Sequence, residues 1–228
     1  MSTAAKDWNR YVVEAEDVAR GAGFQALRDR ILELAEAGPD DTVVDVGAGT
    51  GLLTLALASK VRQVWAIDIA PPMCDYLRAK AISAGLDNVE LAVSSATSLP
   101  LVDESADVVV SNYCFHHVPD DEKGRVLSEA MRVLRPGGRL VFGDMMFRVS
   151  ITDTRDRRVI AAKVRAMIRK GPAGIARLAR NLGRFLSRRW ETPARATWWE
   201  DALHRAGFVD VSVEVFDHEG GVAHARKP

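Results

Sequence analysis

Asp45 stands two residues before three glycines at alternate positions, Gly47, Gly49 and Gly51, in the stretch "VVDVGAGTGLL". An apolar run that breaks into glycines and then turns apolar again predicts a buried strand, a tight turn and a helix whose first residues meet a nucleotide. Asp68 ends the next apolar run, "VWAID", 21 residues after Gly47, where a carboxylate accepts the two hydroxyls of a ribose. A second group could move protons. Asn112, Tyr113, His116 and His117 follow the run "ADVVVSN", and Asp144 ends "RLVFGD". Histidine is the usual side chain for taking a proton near neutral pH.

A dinucleotide cradle needs G-x-G-x-x-G, its third glycine letting the helix pack close to the pyrophosphate. Here the residue three after Gly49 is Leu52, and the third glycine comes one position early. That fits a pyrophosphate poorly, and Asp45 offers a carboxylate to a cation instead. Ribose, adenine and a positively charged amino-acid end, without phosphate, describe S-adenosylmethionine.

The elements that must hold these residues alternate. Residues 11–38 read as helical, with Leu27, Ile31 and Leu34 on one face and Gly38 as the stop. "TVVDVG" is the first strand, Leu52–Ser59 a helix, "VRQVWAID" the second strand, and Pro71–Gly85 a helix opened by proline and closed by glycine. "VELAVSS" and "ADVVVSN" are strands three and four. "DEKGRVLSEAMRVLRPGG" is a helix with Val126, Ala130 and Val133 inward and Asp120 as its N-cap, and "RLVFGDM" is the fifth strand. Such alternation predicts a parallel sheet with helices on both faces. After it, residues 148–190 carry two basic amphipathic helices. Ile160, Val164, Met167 and Ile168 stripe one; Ile175, Leu178, Leu182, Phe185 and Leu186 stripe the other. "TWWEDALHRAGF" is a further helix, and the last strands form a hairpin turned at Gly220-Gly221.

The chain has 228 residues, 47% hydrophobic and 27% charged, which suits one globular α/β domain rather than disorder or a fibre. Its first residues lack the apolar core of a secretory signal, and no apolar run approaches the ~20 residues that cross a bilayer. Cys74 and Cys114 form no CxxC pair, so a cytoplasmic, reducing setting is expected. Net charge is zero but unevenly spread: 15 Lys/Arg against 22 Asp/Glu over residues 1–150, and 16 against 9 over 151–228. The basic excess lies in Arg155–Arg189, with 12 basic residues against Asp156 alone. That face is either a solvated helix surface or an attractor of anions.

The pieces "VVDVGAGTG", "VWAIDIAPPM", "NVELAVSSATSLPL", "ADVVVSNYCFHHVPD" and "EAMRVLRPGGRLVFGD" resemble, in order and spacing, a class I S-adenosylmethionine-dependent methyltransferase of the small-molecule branch called type 11. The resemblance implies a Rossmann-like, doubly wound seven-stranded sheet, mostly parallel, with an antiparallel C-terminal hairpin strand and a helical lid inserted after strand five. It divides one domain into N-terminal helices (1–38), a cofactor-binding core (39–147), the lid (148–190) and a C-terminal helix and hairpin (191–228). It brings Asp45, Gly47, Ala48 and Gly49 to the methionine end of the cofactor, Asp68 to the ribose, and Ile69 and Met73 to adenine. Ala96 and Asn112 join the cofactor site, and Tyr11 lies in an N-terminal helix that folds over it. The family's third strand ends in Gly-Asp-Ala, whose Asp bonds adenine; here Ser94-Ser95-Ala96 leaves Ser95 as a weaker acceptor, or as a plain turn residue.

His116 or His117 is the candidate general base; the same His-His-x-Pro-Asp is also a turn before a helix. Adjacent histidines without a carboxylate pattern make a poor metal site, so no metal is expected. Cys114 is assigned no catalytic role. Tyr113, His117, Asp144, Met146 and Arg165 are candidate acceptor contacts, with Met145, Met146 and Phe147 as a pocket floor, the lid as its roof, and Trp190, Trp198 and Trp199 near its mouth. The expected acceptor is a small hydrophobic or anionic molecule taking the methyl on O, N or C. The alternative is an RNA or protein methyltransferase docking through residues 155–189. Strand four lacks the Asn/Asp-Pro-Pro-aromatic signature of base methylation, which argues against nucleic acid. The lid helices could also pair two copies of the chain.

Overall fold

The computed structural model describes residues 12–147, 153–169, 171–172, 174–176 and 192–228. Its sheet grows from the valine-rich runs. β1 (Thr42–Val46) is buried at every position, as a central parallel strand covered on both faces must be. β2 (Gln63–Asp68), β3 (Val89–Val93), β4 (Ala106–Asn112) and β5 (Leu134–Met145) run parallel to it, and the sheet order is β3-β2-β1-β4-β5-β7-β6. β7 (Gly220–Arg226) lies antiparallel between β5 and β6 (Val209–Val215). This is the expected seven-stranded mixed sheet. Chain order reverses between β1 and β4, which places the ligand crevice beyond their carboxyl ends.

Alternate strand residues feed two cores. Val43, Val108, Val110 and Val141 meet Leu27 and Ile31 of α2 (Ala22–Ala35) and Leu57 of α3 (Thr54–Ala58). Val44, Val109, Leu140 and Phe142 meet Leu127 and Val133 of α5 (Lys123–Val133), and Trp199 and Leu203 of α7 (Ala196–Arg205). α4 (Pro71–Ser83) sends Leu77 against Ala48 and Ala66.

Several boundaries differ from expectation. The single N-terminal helix is two, α1 (Val12–Ala19) and α2, parted at Gly21, whose extended backbone opens α2. α2 stops at Glu36 in the left-handed region (φ 45°), before Gly38. Asp120 does not cap α5: the N-cap is Glu122, and the Asp120 carboxylate pairs with Lys123. Pro136-Gly137-Gly138 lies inside β5, at the irregularity where Leu134 pairs with Ala106 and Arg139 with Val108. Gly220-Gly221 is not the hairpin turn but the start of β7. A Cβ on Gly221 would stand 2.6 Å from Met146 Sδ and 2.8 Å from Glu214 O, so close packing demands that glycine. In α6 (Thr154–Arg169) Asp156 and Val159 are buried; of the expected stripe Ile160, Val164 and Met167 are half-buried, whereas Ile168 is 53% exposed. Most of the second expected lid helix lies outside the described residues.

Candidate active site

The loop after β1 is built on backbone that only glycine adopts easily. Gly47, Gly49 and Gly51 have φ of 74°, 51° and 90°. Their surroundings differ. A Cβ on Gly47 would lie 2.6 Å from Cys114 Cβ, and one on Gly51 would strike Leu77 of α4. A Cβ on Gly49 would meet nothing nearer than its own loop's Gly47 O at 4.0 Å. Two glycines thus let the loop pack down, and the middle one borders open space.

Asp68 organises that space. Its Oδ2 accepts from Gly49 N–H at 2.8 Å and its Oδ1 from Ala70 N–H at 2.9 Å. Burial raises its pKa, opposed by the amides of Ala70, Gly49 and Ile69. Each oxygen keeps acceptor capacity for a further donor. Ile69, next in sequence, is 54% exposed and offers an apolar face, while Met73 is buried. Across the end of β3, Ser94 N–H bonds Asp68 O. Ser95 Oγ accepts from Thr97 N–H at 3.2 Å and lies 2.8 Å from Thr97 Oγ1, so it closes its own turn, with Ala96 half-buried beside it. An open backbone cradle, a carboxylate and an apolar shelf suit an adenosine. The loop's third glycine is spent on Leu77 rather than on a pyrophosphate.

Asp45 is buried beneath the loop. It is 2% exposed, and its Oδ2 accepts from Thr54 Oγ1 at 2.6 Å, which fixes the start of α3. Burial pushes its carboxyl up to about 7, opposed by the bonds from Thr54 and aided by the charge of Asp68. Over the loop lies α1. Lys80 of α4 donates to Thr50 O at 2.9 Å and to Glu16 of α1 at 3.1 Å, a tie that sets α1 on the glycine loop. Tyr11 lies outside the described residues.

β4 ends in strain. Tyr113 has φ 54°, its N–H bonds Gly143 O at 2.8 Å, and its ring stacks on Phe24 with centroids 3.9 Å apart. Burial, then the charges of Glu219 and Asp144, pushes the phenol pKa up, so it stays protonated. Burial, then the charges of Asp68, Asp144 and Asp45, pushes the Cys114 pKa up and keeps it a thiol. The chain then makes a 3-10 turn, Phe115–His117, that buries His116. Asp144, 1% exposed, accepts the His116 N–H on Oδ2 at 2.8 Å and holds the ring Nδ1 on Oδ1 at 2.5 Å. His117 packs its ring against His116 at 3.8 Å, and Tyr113 meets it edge-on at 6.1 Å. Asp144, expected as an acceptor contact, is therefore occupied with His116. Asn112, before the strained Tyr113, has both amide atoms buried without a partner. Among the described residues no group of three or more His, Cys, Asp or Glu could hold a metal ion.

The floor and lid divide differently from expectation. Met145 and Phe147 pack with Val159, Tyr113 and Ile160. Met146 points to the opposite core, against Gly221, and so lies away from that floor. Arg165 is exposed and donates to Ala161 O on its own helix at 3.2 Å; it does not reach the strand ends. Arg155 turns inward instead, donating to Met146 O at 2.7 Å, His218 O at 2.9 Å, Phe216 O at 3.1 Å and Gly220 O at 3.2 Å. Trp199 is core, against Phe115 and Phe142, Trp198 packs at its edge, and Trp190 lies outside the described residues. A cavity of about 310 Å³ opens between α6 and the β6–β7 turn, but Thr154, Arg155, Arg158, Val215, Phe216 and Asp217 line it, none of them at the glycine loop or the histidines. Sequence reasoning missed Lys123, Thr192 and Arg155, most of whose partners lie far along the chain or on the backbone, and Thr54, whose partner Asp45 is nine residues back.

Residues 43–138 match the family model for a methyltransferase domain. An arsenite methyltransferase of Halobacterium salinarum is 33% identical over 150 residues, 63% of this chain and 38% of that one. A malonyl-[acyl-carrier protein] O-methyltransferase of Methylococcus capsulatus is 39% identical over 128 residues, 53% of this chain and 45% of that one. The chain spans about half the length, or less, of these curated relatives. In fold it is similar to a SAM-dependent methyltransferase from Aquifex aeolicus, with TM-score 0.66 and 21% identity over 95% of this chain and 98% of that one.

Proposed function

We infer, for a chain that carries a methyltransferase domain and takes S-adenosylmethionine as its cofactor, that the acceptor is a small molecule and that His116 removes its proton. The carrying observation is the double hold of Asp144 on His116 at the carboxyl ends of β4 and β5. A carboxylate on Nδ1 favours the tautomer with its proton there, which leaves the lone pair on Nε2. When bound, the cofactor supplies an electrophilic methyl on a sulfonium.

The chain's own part is binding, alignment and proton handling. Asp68 accepts hydroxyl protons from the ribose, and Ile69 covers adenine. Ala48, Gly49 and the backbone around them receive the amino-acid end, with α1 closing over it. His116 takes the acceptor's O–H, N–H or acidic C–H proton on Nε2, and Asp144 stabilises the resulting imidazolium. Met145, Phe147, Tyr113 and Phe24 make the surroundings apolar, which favours a hydrophobic acceptor. The names of the two relatives point to chemically unlike acceptors, arsenite and a malonyl-[acyl-carrier protein], so neither assigns the acceptor of this chain. The test is methyl transfer from labelled cofactor into a metabolite extract by the wild type and by Asp144→Asn. Labelled small molecules that vanish in the variant are expected. Label that appears only in added RNA or protein, with binding that falls steeply with salt, would overturn the acceptor class.

A further inference from the structure

Behind the turn that carries His116 lies a lysine with no solvent access. Lys123 is 0% exposed, and its ammonium donates to Val118 O at 2.9 Å, Thr192 O at 2.7 Å, Thr192 Oγ1 at 2.9 Å and Asp120 Oδ1 at 2.5 Å. Thr192 completes the knot. Its N–H donates to His116 O at 2.9 Å, and its Oγ1 lies 2.9 Å from Val118 O and 3.3 Å from His116 O. Three stretches of chain are joined here: the turn after β4, the first residue of α5, and Thr192, four residues before α7.

Burial of an ammonium costs several kcal/mol even when it is paired. An apolar side chain of similar length would fill the same volume without that cost. What the ammonium adds is direction, because its three protons fix the acceptors around them. Those acceptors include Val118 O, at the end of the 3-10 turn, and both oxygens of the residue that grips His116 O. The backbone of His116 is thus held from two sides, by Asp144 on its N–H and by Thr192 on its carbonyl.

We propose that Lys123 is a positioning residue: with Thr192 it fixes the backbone of the 115–117 turn so that the His116 ring meets Asp144, and it makes the seating of the chain at Thr192 and the aim of that ring a single event. The inference rests on the reading of His116 as the base. It does not require Lys123 to touch cofactor or acceptor.

The test follows the ring itself. In protein with heavy-nitrogen-labelled histidine, long-range NMR correlations distinguish an imidazole held in one tautomer from one averaging between two. His116→Gln identifies the His116 signals by their loss, and Asp144→Asn sets the size of the change when the partner is altered. Lys123→Met should move those signals toward averaging, while affinity for S-adenosylhomocysteine, measured by calorimetry, stays at the wild-type value. Thr192→Val keeps the shape, removes the hydroxyl and should move the same signals the same way by less; it also decides the matter if Lys123→Met does not fold. Lys123→Arg, which keeps the charge and donors, should restore part of the single-tautomer signal. Wild-type His116 signals in folded Lys123→Met, or in Thr192→Val, would overturn the proposal. If Asp144→Asn leaves them unmoved too, it is the reading of His116 that fails.

Discussion

Asp144 holds His116 at both ends of the residue, the backbone N–H on one carboxylate oxygen at 2.8 Å and the ring Nδ1 on the other at 2.5 Å. A single carboxylate that fixes both main chain and ring leaves the imidazole little freedom to turn. If this pair performs the proton transfer, His116→Ala and Asp144→Asn should each lower turnover by about 10²–10⁴, the range of general-base contributions. The double variant should be scarcely worse than His116→Ala, because the residues act as a unit. Cofactor affinity should be unchanged in all three. Single-turnover rates with saturating cofactor provide the measurement, and additive losses would separate the two residues' roles.

Gly47 and Gly49 share a backbone region but not surroundings. Gly47→Ala must displace Cys114 and should lose fold stability outright. Gly49→Ala meets open space, so its cost is the left-handed backbone alone, about 1–2 kcal/mol. Its thermal midpoint should fall by only a few degrees while S-adenosylmethionine binding falls sharply, because the added methyl enters the space assigned to the ligand. Equal loss of stability in the two variants would show that the space over Gly49 is not open.

Asp45 gives a pH test. Its carboxyl, held up near 7 by burial, is protonated in the folded chain where the unfolded chain, with the ordinary value of 3.8, has released the proton. The folded state then binds more protons between those values, so stability falls as pH rises from about 4 to about 7. Asp45→Asn keeps an acceptor for Thr54 and removes the titration. Its advantage in thermal midpoint over wild type should be small at pH 5 and larger at pH 8. A gap that shrinks with pH would contradict the raised value.

Asn112 carries the least comfortable side chain at the strand ends. Burying unpaired polar atoms costs about 1–3 kcal/mol, so Asn112→Leu should leave the ligand-free protein as stable or more stable. If the amide acquires its partner from the bound cofactor, the same variant should bind S-adenosylmethionine more weakly. Thermal midpoints with and without ligand read both effects. A lower midpoint without ligand would mean that Asn112 is already satisfied within the fold.

What the sequence revealed was what repeats locally. β4 matches its apolar run from Ala106 to Asn112, and Gly47, Gly49 and Gly51 all adopt the backbone that their spacing suggested. Asp68 stands where its position after β2 put it. What stayed hidden depends on pairs that no local pattern joins. Asp144 and His116 are 28 residues apart, Lys123 and Thr192 69, and Arg155 reaches carbonyls up to 65 residues away. Carbonyl acceptors leave no trace in residue types at all, since every residue has one. Asp45 shows the same limit at shorter range. Nothing in the residues before a glycine loop announces that Thr54, nine residues on, donates to that carboxylate.

The position of β7 bears on how the chain is made. β6 precedes β7 in the chain, yet among the described residues β7 is its only sheet partner, and β7 must slide between it and β5 to complete the sheet. Until β7 docks, among the described residues β5 has one bare border and β6 has two. β6 also carries Val209 and Val215, each at least 40% exposed even in the finished protein. Bare strand borders recruit other chains. The interval before β7 docks is therefore when a newly made copy is most open to sticking to its neighbours. Gly221→Ala, which obstructs the seat of β7 against Met146, should raise the insoluble fraction of freshly made protein more than an equally destabilising substitution at Leu77 of α4.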